Sequence, residues 1–291
     1  MDRREMMRTT GAALLGATAF PLRWAAAAAK KPQKVLYFTR NCGYYHSVVR
    51  RKGDQLSHSE KILVDLGKQH GFEVTCSKDG TLFDGDFAQY DVIALYCNGN
   101  LTRPNKAKEP PMSSQGVQRL MDAVAAGKGL VAYHSTCNCR GTAGPPKDGV
   151  DPFLHMVGGT FVRHGPQQKA TMRITSPKFP GMQDLGESFA LREEWYAMRN
   201  FPKDLHVILV QETAGMKGKC YQRPPFPSTW ARMHGKGRVW FSSMAHREDV
   251  WSGQPFQQVL LGGLAWALGN VDADVTPNIE QVTPKAWQLT N

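Results

Sequence analysis

Short apolar runs alternate with segments of helical periodicity through the first half of the chain. The runs are too short for helices and rich in strand-forming residues, a pattern typical of strands buried on both faces of a sheet. They predict strands at residues 35–39, 72–76, 91–96 and 130–134. A helix is predicted at 59–70, with Ser59 as its N-cap and Gly71 as its end, and a second at 113–126. This alternation predicts an α/β fold, a parallel sheet with helices on both faces.

The second half is less regular and predicts a short helix, two strands, a β-hairpin and a final helix. These lie at 151–157 (helix), 170–174 and 207–210 (strands), 228–233 and 239–243 (hairpin) and 255–268 (helix). The hairpin turn is the glycine-rich HGKG, and Pro255 suits the first turn of the last helix. No repeat, low-complexity segment or linker separates these elements, so residues 30–291 are predicted to form a single domain.

Residues 1–29 have the pattern of an export signal. Arg3 and Arg4 precede an apolar run at 11–20, which is followed by an alanine tract. The paired arginines favour twin-arginine export, and the run is too short to span about 30 Å of hydrocarbon. We therefore expect a periplasmic or secreted bacterial protein with no stable membrane insertion once the signal is removed. The alternative is an uncleaved N-terminal anchor.

The charge of the chain does not indicate a nucleic-acid partner. The 291 residues contain 36 Lys and Arg against 25 Asp and Glu, a formal charge of +11, and 41% are hydrophobic. The export signal holds four arginines and two acids, which leaves +9 for residues 30–291. The remaining basic residues are scattered, and no helix-turn-helix, zinc-finger or RNP signature is present. The composition is that of an ordinary globular protein.

Six cysteines leave the disulfide state open. Export to an oxidising compartment permits disulfides, but the C-x-C at 137–139 matches no zinc pattern. Cys76 and Cys97 lie in apolar runs and are expected to be buried free thiols.

Candidate site residues follow the predicted strands, beside two long loops at 98–112 and 135–150. In open α/β sheets, ligands bind at the carboxyl ends of strands, where long loops are often functional. Histidines there suit acid–base work near neutral pH, and three His, or two His and a Glu, suit a catalytic metal. The candidates are His46, His134, His164, Glu193, Glu194, Trp195, Tyr196 and His246.

The sequence predicts no catalytic nucleophile at the strand-to-turn junction where this fold class usually carries one. Residues 129–134 have the strand-to-turn pattern of a nucleophile elbow, but His134 stands where Ser or Cys would be. No G-x-S-x-G and no GxGxxG occurs. Ser135 is the fallback nucleophile, and Cys137 lies too late in the chain.

Several motifs together carry a family resemblance over residues 35–269. They are GYYH ending at His46, YDVI at 90–93, GKGLVAYHS at 127–135, VGGTFVRH ending at His164, EEWY at 193–196, and GKGRVWF at 235–241 with His246. In this order they resemble the ThuA-like (trehalose utilisation) family of the class I glutamine amidotransferase-like superfamily. The resemblance implies a flavodoxin-like open, mostly parallel sheet whose amidotransferase nucleophile is replaced. It also implies a small-molecule carbohydrate partner, because family proteins are associated with disaccharide and keto-sugar catabolism.

The chain departs from the family pattern at three places. Glu193-Glu194 stands where Asp-Glu is usual, Ala245 stands where a glycine is usual, and the loops at 98–112 and 137–150 look longer. The loops leave the identity of the substrate open.

Our first hypothesis is an exported enzyme that isomerises, eliminates or hydrolyses a disaccharide or keto-glycoside. Glu194 and His134 would be its acid and base. The substrate would contact Tyr45, His164, Glu193, Trp195 and Tyr196, although core packing is the alternative for Trp195. His46, His134 and His246 are candidate ligands for a divalent metal such as zinc. The rival hypotheses are a non-catalytic sugar-binding module and a metal-dependent hydrolase of another substrate.

Overall fold

The computed structural model of the protein describes residues 32–140 and 149–289. Its strands are β1 (Gln33–Phe38), β2 (Phe72–Ser77), β3 (Val92–Leu95), β4 (Gly99–Asn100), β5 (Gly129–Tyr133), β6 (Cys139–Arg140), β7 (Thr160–His164), β8 (Gln168–Ile174), β9 (Ser188–Glu193), β10 (Tyr196–Arg199), β11 (His206–Gln211), β12 (Phe226–His234) and β13 (Gly237–Ser242). Its α-helices are α1 (His58–His70), α2 (Ser114–Ala125), α3 (Pro152–Val157), α4 (Glu248–Ser252), α5 (Gln254–Ala267) and α6 (Ile279–Val282).

Nine of these strands form one sheet in the order β2-β1-β3-β5-β13-β12-β11-β8-β9. The first five run parallel to their neighbours, and the remaining pairs are antiparallel. Two small sheets lie apart from it, an antiparallel ribbon of β7 and β10 and a parallel pair of β4 and β6. The fold is therefore α/β and flavodoxin-like, with the parallel core and the C-terminal hairpin and helix that the sequence predicts.

Helices cover both faces of the parallel core because its strands are apolar on both sides. In β1, Val35 and Tyr37 belong to one hydrophobic core together with residues of α1 and α5. The intervening Leu36 and Phe38 belong to a second core together with residues of α2 and α3. Every residue of β3 and of β5 is buried. This two-sided burial explains why the strands read as continuous apolar runs.

The start of α1 corrects the predicted N-cap. The N-cap is Ser57, whose backbone N–H donates to the carboxylate of Glu60 at 2.8 Å. Ser59 lies inside the helix, where its hydroxyl accepts a hydrogen bond from Tyr37 in the core. The end at Gly71 is confirmed, since this residue takes the left-handed conformation that glycine favours (φ 80°).

Three strands near the candidate site were not predicted. In β9, exposed residues alternate with partly buried ones, and β7 and β10 form a two-stranded ribbon outside the main sheet. Strands β7 and β9 carry no continuous apolar run, and the run in β10 is only three residues long (Tyr196–Met198). The EEWY motif consequently lies at the junction of two strands rather than in an irregular stretch.

The predicted export signal, residues 1–29, lies outside the described residues. Within the described ones, no helix combines the length and apolarity needed to cross a membrane. All six cysteines are free thiols in the structure; Cys97 is buried as predicted, and Cys76 is partly exposed.

Candidate functional site

Four side chains meet at the carboxyl edge of the parallel core. His46 follows β1, His134 follows β5 and His246 follows β13, so three parallel strands bring three imidazoles to one edge. Glu194 joins them from the connection between β9 and β10. One nitrogen or oxygen of each side chain lies within 4.8 Å of those of the other three. We call these four residues the histidine cluster.

His134 presents a lone pair to the cluster. It occupies the turn after β5 with a left-handed backbone (φ 42°), and its side chain is buried. Its Nδ1 lies 2.8 Å from the carbonyl oxygen of Ser243, which can only accept, so Nδ1 carries the proton. Nε2 is then the acceptor, 3.3 Å from Nδ1 of His246. Burial lowers the pKa of His134, so the ring is neutral near pH 7.

His46, which follows β1, is almost completely buried. It precedes a 3₁₀ turn at Ser47–Val49, and only 1% of its surface is exposed. Its Nε2 lies 3.5 Å from the hydroxyl of Tyr196, and its Nδ1 has no hydrogen-bond partner in the described chain. Burial, reinforced by His134 and His246, lowers the pKa of His46 well below its usual value. The ring is therefore neutral and has an unused nitrogen.

Glu194 supplies the negative charge of the cluster. Its Oε2 lies 3.2 Å from Nδ1 of His246 and 3.7 Å from Nε2 of His134, and its Oε1 lies 3.5 Å from Nδ1 of His164. Burial would raise its pKa, but the interactions with the two neighbouring imidazoles, His134 and His246, outweigh burial and hold the pKa well below the usual carboxyl value. Glu194 is therefore ionised at neutral pH, and 14% of its side chain is open to solvent.

His246 is the basic member of the cluster. The amide oxygen of Gln167 accepts from Nη1 of Arg247 at 2.6 Å, so the amide nitrogen faces Nε2 of His246 at 3.1 Å. Nε2 is then the acceptor of the neutral ring, and Nδ1 donates toward Glu194. Burial lowers the pKa of His246, but the hydrogen bond with Glu194 outweighs burial, and the net effect is a raised pKa.

Glu193 binds backbone groups rather than facing the open site. Its Oε1 accepts from the N–H groups of Ala245 at 2.8 Å and His246 at 2.6 Å, and its Oε2 accepts from the N–H of Glu194. The side chain is fully buried. These contacts correct its predicted role in substrate binding, because no carboxylate oxygen is left exposed to a ligand. Glu193 instead holds the loop that carries His246.

Of the predicted aromatic contacts, Tyr196 alone lies against the cluster. Its ring stacks on His134 with centroids 3.9 Å apart. Trp195 is fully buried and donates its Nε1–H to the carbonyl of Gln168, so the core-packing alternative is correct for this residue. Successive residues of an extended chain point to opposite sides, which separates Trp195 from its neighbour.

Tyr44, and not the predicted substrate contact Tyr45, is the tyrosine of this loop that lies against His46. The Tyr45 hydroxyl donates to Glu109 at 2.9 Å, and the cations of Arg50 and Lys78 lie 5.5 and 5.3 Å from its ring, so Tyr45 anchors the loop. Tyr44, which sequence reasoning missed, is 68% exposed, and its ring centroid lies 4.9 Å from that of His46. Its only sequence signal is its place in the GYYH motif.

His164 lies at the outer edge of the site. Its side chain is 44% exposed, and its ring stacks on that of Tyr196 with centroids 6.1 Å apart. Tyr44 and His164 are therefore the exposed rings beside the buried cluster, in positions from which they can contact a ligand that reaches Glu194.

The fallback nucleophile is not available at this site. The hydroxyl of Ser135 is buried and donates to the carbonyl of Cys97 at 2.9 Å. Cys137 is also buried, and burial raises its pKa. A buried thiol without activation is a poor nucleophile.

The donor set fits a divalent metal of the zinc type. Imidazole and carboxylate ligands are those of catalytic zinc sites, and the bond from Nδ1 of His134 to Ser243 is the outer-sphere contact that orients such a ligand. His46 has an unpartnered nitrogen, and Glu194 has a solvent-facing carboxylate. For His246 to bind a metal through Nδ1, the ring proton must move to Nε2. The side-chain amide of Gln167, whose nitrogen now faces Nε2, must then flip so that its oxygen faces this proton. His46, His134 and Glu194 consequently form the readiest ligand set.

Comparison with known proteins places this fold and these motifs in one family. The family model described as "ThuA: Trehalose utilisation" matches residues 34–267. The structure resembles a ThuA-like protein of Bacteroides uniformis (19% identity, TM-score 0.57), over 82% of this chain and 93% of that one. It resembles a ThuA-like protein of Parabacteroides merdae equally (20% identity, TM-score 0.54), over 84% and 93%. No functionally curated protein matches the sequence. Because the family model spans well over half of the sequence, the chain belongs to the ThuA (trehalose utilisation) family.

Proposed function

We propose that this protein is a carbohydrate-processing enzyme that acts on a disaccharide or keto-glycoside through acid–base chemistry at the histidine cluster. The observation that carries the proposal is the convergence of three buried imidazoles with one partly exposed carboxylate. The family description, trehalose utilisation, supports a sugar as the substrate class. The exposed rings of Tyr44 and His164 support it further, since aromatic faces pack against the C–H faces of sugar rings.

The pKa directions suggest which residues accept and which carry a proton. Glu194 is ionised and His134 is neutral near pH 7, so both are proton acceptors in the resting site. His246 has a raised pKa and a hydrogen bond to Glu194, which makes it the proton carrier of the set. We therefore propose Glu194 or His134 as the base and His246 as the group that returns the proton.

If a divalent metal occupied the cluster, His46, His134 and Glu194 would be its ligands instead of proton acceptors, with His246 as a fourth ligand. Such an ion, when bound, supplies Lewis acidity toward a carbonyl or hydroxyl oxygen of the sugar. The remaining roles belong to the chain itself. Glu193 holds the loop that carries His246. Tyr196 packs its ring against the imidazole of His134 and so helps to orient that imidazole.

The test is turnover of glycosides and of their 3-keto forms, followed by mass spectrometry of the products. The wild-type protein is expected to convert at least one of them, and Glu194→Gln and His134→Ala are expected to abolish conversion. Glu187→Gln, an exposed carboxylate outside the cluster, is the matched control and should retain full activity. Binding without product for every sugar would establish the non-catalytic module instead.

Metal content is measured separately on the purified protein. We expect close to one equivalent of a divalent metal in the wild type and loss of it in a His46→Ala, His134→Ala variant. Less than a tenth of an equivalent after reconstitution with zinc would remove the metal from the proposal. Turnover of a non-sugar substrate only, dependent on the metal, would favour the alternative hydrolase.

We also propose export through the twin-arginine pathway and a single domain over residues 30–291. The support for export is the order of Arg3-Arg4, apolar run and alanine tract in the sequence. Substitution of both arginines by lysine should leave the full-length precursor in the cytoplasm, while the unchanged chain should appear in the periplasm or medium in a shortened form. Equal processing of the two would contradict the proposal.

A further inference from the structure

A cavity of about 110 Å³ lies apart from the histidine cluster, on the opposite face of the β7–β10 ribbon. In this ribbon Tyr196 pairs with His164, and Ala197 pairs with Arg163. Side chains alternate along a strand, so Tyr196 and His164 face the cluster while Ala197 and Arg163 face the cavity. The β7–β10 ribbon therefore separates the histidine cluster on one face from the cavity on the other.

The charged residues that line this cavity are all cations. They are Arg163 from β7 and Lys219 and Arg223 from the segment before β12, and they lie beside Cys220. Among residues 32–140 and 149–289, no acidic side chain lines the cavity. Neither Arg163 nor Arg223 has a carboxylate within ion-pair distance in residues 32–140 and 149–289.

Arg223 is a buried cation without a counter-charge. It is 6% exposed, donates from Nη1 to the carbonyl of Met198 at 2.7 Å and from Nη2 to the carbonyl of Ala286, and stacks on Phe226. Its Nε has no hydrogen-bond partner among the described residues. Burial lowers the pKa of Arg223 to about 10, so the guanidinium is charged at neutral pH. Burying an unpaired charge is costly, and a bound anion would offset that cost.

We propose that this cavity is a binding site for a small tetrahedral oxyanion, phosphate or sulfate, held by Arg163 and Arg223. A guanidinium such as that of Arg163 binds an oxyanion with paired, charge-assisted hydrogen bonds. Arg223, whose Nη1 and Nη2 already donate to carbonyls, would contribute its positive charge and its remaining N–H groups. A single water needs about 10–15 Å³ of such space, so the cavity accommodates an oxyanion with a few waters and excludes a disaccharide. This site is independent of the sugar chemistry proposed above, and it places an anion behind the ribbon that carries Tyr196 and His164.

Cys220 provides a reporter inside the cavity. It is a partly exposed free thiol that lines the cavity. Burial raises its pKa, and the positive charges of Arg163 and Arg223 oppose that rise. An oxyanion at the two arginines would block access to the sulfur and cancel their charge, and both effects slow alkylation.

The experiment measures alkylation of Cys220 by iodoacetamide in the full chain, with and without inorganic phosphate at constant ionic strength, by peptide mass spectrometry. We expect saturable protection of Cys220 by phosphate, the same by sulfate, and none by chloride. Cys42, another partly exposed thiol, is the internal control and should react at an unchanged rate. Because Cys220 lines the cavity, its protection reports phosphate bound in the cavity and not phosphate bound at the histidine cluster.

Variants locate the binding groups. Arg163 is exposed, and its side chain has no hydrogen bond with the part of the chain that the structure describes. Arg163→Gln should therefore fold normally and weaken phosphate binding at least about tenfold. Arg192→Gln, an exposed arginine of β9, is the matched control and should bind as the wild type does. Arg223→Lys tests the buried partner, with its fold checked by circular dichroism. Absence of saturable protection in the wild type, or equal protection in the Arg163 and Arg192 variants, would overturn the proposal.

Discussion

Glu193 and Glu194 are joined by one peptide bond, yet their carboxylates lie in two regions with opposite electrostatics. Glu193 points into a region of backbone N–H groups, where burial is complete and raises its pKa to about 7. Glu194 points into the histidine cluster, where the interactions with two imidazoles lower its pKa despite burial. Glu193 is the last residue of β9 and Glu194 is the first residue of the connection to β10, so the boundary between the two regions falls at the end of a strand.

The comparison separates Glu194, the acid for which we propose a role in proton transfer, from Glu193, the acid that holds the backbone of a loop. A carboxylate bound by fixed backbone donors cannot move or reach a ligand, whereas one bound by titratable side chains can exchange protons with them. The environments split the pKa values of two identical side chains in opposite directions. We therefore expect substitutions at position 194 to change activity and substitutions at position 193 to change stability.

The largest expected effect is on turnover in the Glu194→Gln variant. The amide cannot accept a proton, and loss of one positioned acid–base group costs about 10²- to 10⁴-fold in rate. The measurement is kcat on whichever sugar the wild type converts, with Glu187→Gln as the control. A variant that retained more than about a tenth of wild-type kcat would show that Glu194 does not take part in the reaction.

The second effect is on folding, in the Glu193→Ala variant. It leaves the buried N–H groups of Ala245 and His246 without their acceptor, and each unmet group costs about 1–3 kcal/mol. The free energy of unfolding, measured with urea, should fall by about 3–5 kcal/mol. Glu212→Ala, which removes an exposed ion pair with Arg173, should cost less than about 1 kcal/mol. Equal losses in the two variants would contradict the positioning role.

The sequence predicts the three histidines of this site better than it predicts the orientations of Glu193 and Glu194. His46, His134 and His246 could be expected to converge because each follows a strand of the parallel core, and such strands are recognisable as apolar runs. Strand β9 carries no such run, because its outer residues are exposed. The direction of Glu193 depends on the register of β9 and on the backbone of a loop some 50 residues later in the chain, and neither is visible in local sequence.

The different positions of Tyr44 and Tyr45 also depend on a tertiary contact that local sequence does not show. Both residues lie in one loop motif, and Asn98 fixes the backbone of that loop by accepting from Gly43 N–H and donating to the Tyr44 carbonyl. Which of two adjacent rings then faces solvent is decided by this tertiary contact. Sequence reasoning could assign the motif to the site but not the individual ring.

The third effect is a dependence of folding stability on pH that arises from the Glu193 carboxyl group. Its folded pKa of about 7 lies above the ordinary 4.5, so the native state keeps a proton that the unfolded state releases as pH rises. Wild-type stability should therefore fall across pH 4.5 to 7, by about 3 kcal/mol from this group alone. Glu193→Gln lacks this titration.

The check is the free energy of unfolding of both proteins at pH 5 and pH 8, after removal of metal by a chelator. The advantage of the wild type over Glu193→Gln should shrink by about 3 kcal/mol between these values. Taking this difference cancels Glu194, whose lowered pKa gives stability that is lost as pH falls. His246, whose raised pKa gives stability that is lost as pH rises, cancels only in part, because the charge of Glu193 contributes to that raised pKa. A constant difference would show that the Glu193 carboxyl is not held in an apolar environment.

The smallest effect concerns the loop that Glu193 holds. Ala245 has a backbone φ of 99°, a region that side chains with a Cβ rarely adopt, and the two hydrogen bonds from residues 245 and 246 to Glu193 keep it there. Ala245→Gly should relieve this strain and raise the free energy of unfolding by about 0.5–1 kcal/mol. Ala231→Gly, in β12 at an ordinary φ, should lower it by about 1 kcal/mol. If both glycines destabilise equally, the strain at Ala245 is absent in solution, and Glu193 would then hold a relaxed loop rather than a strained one.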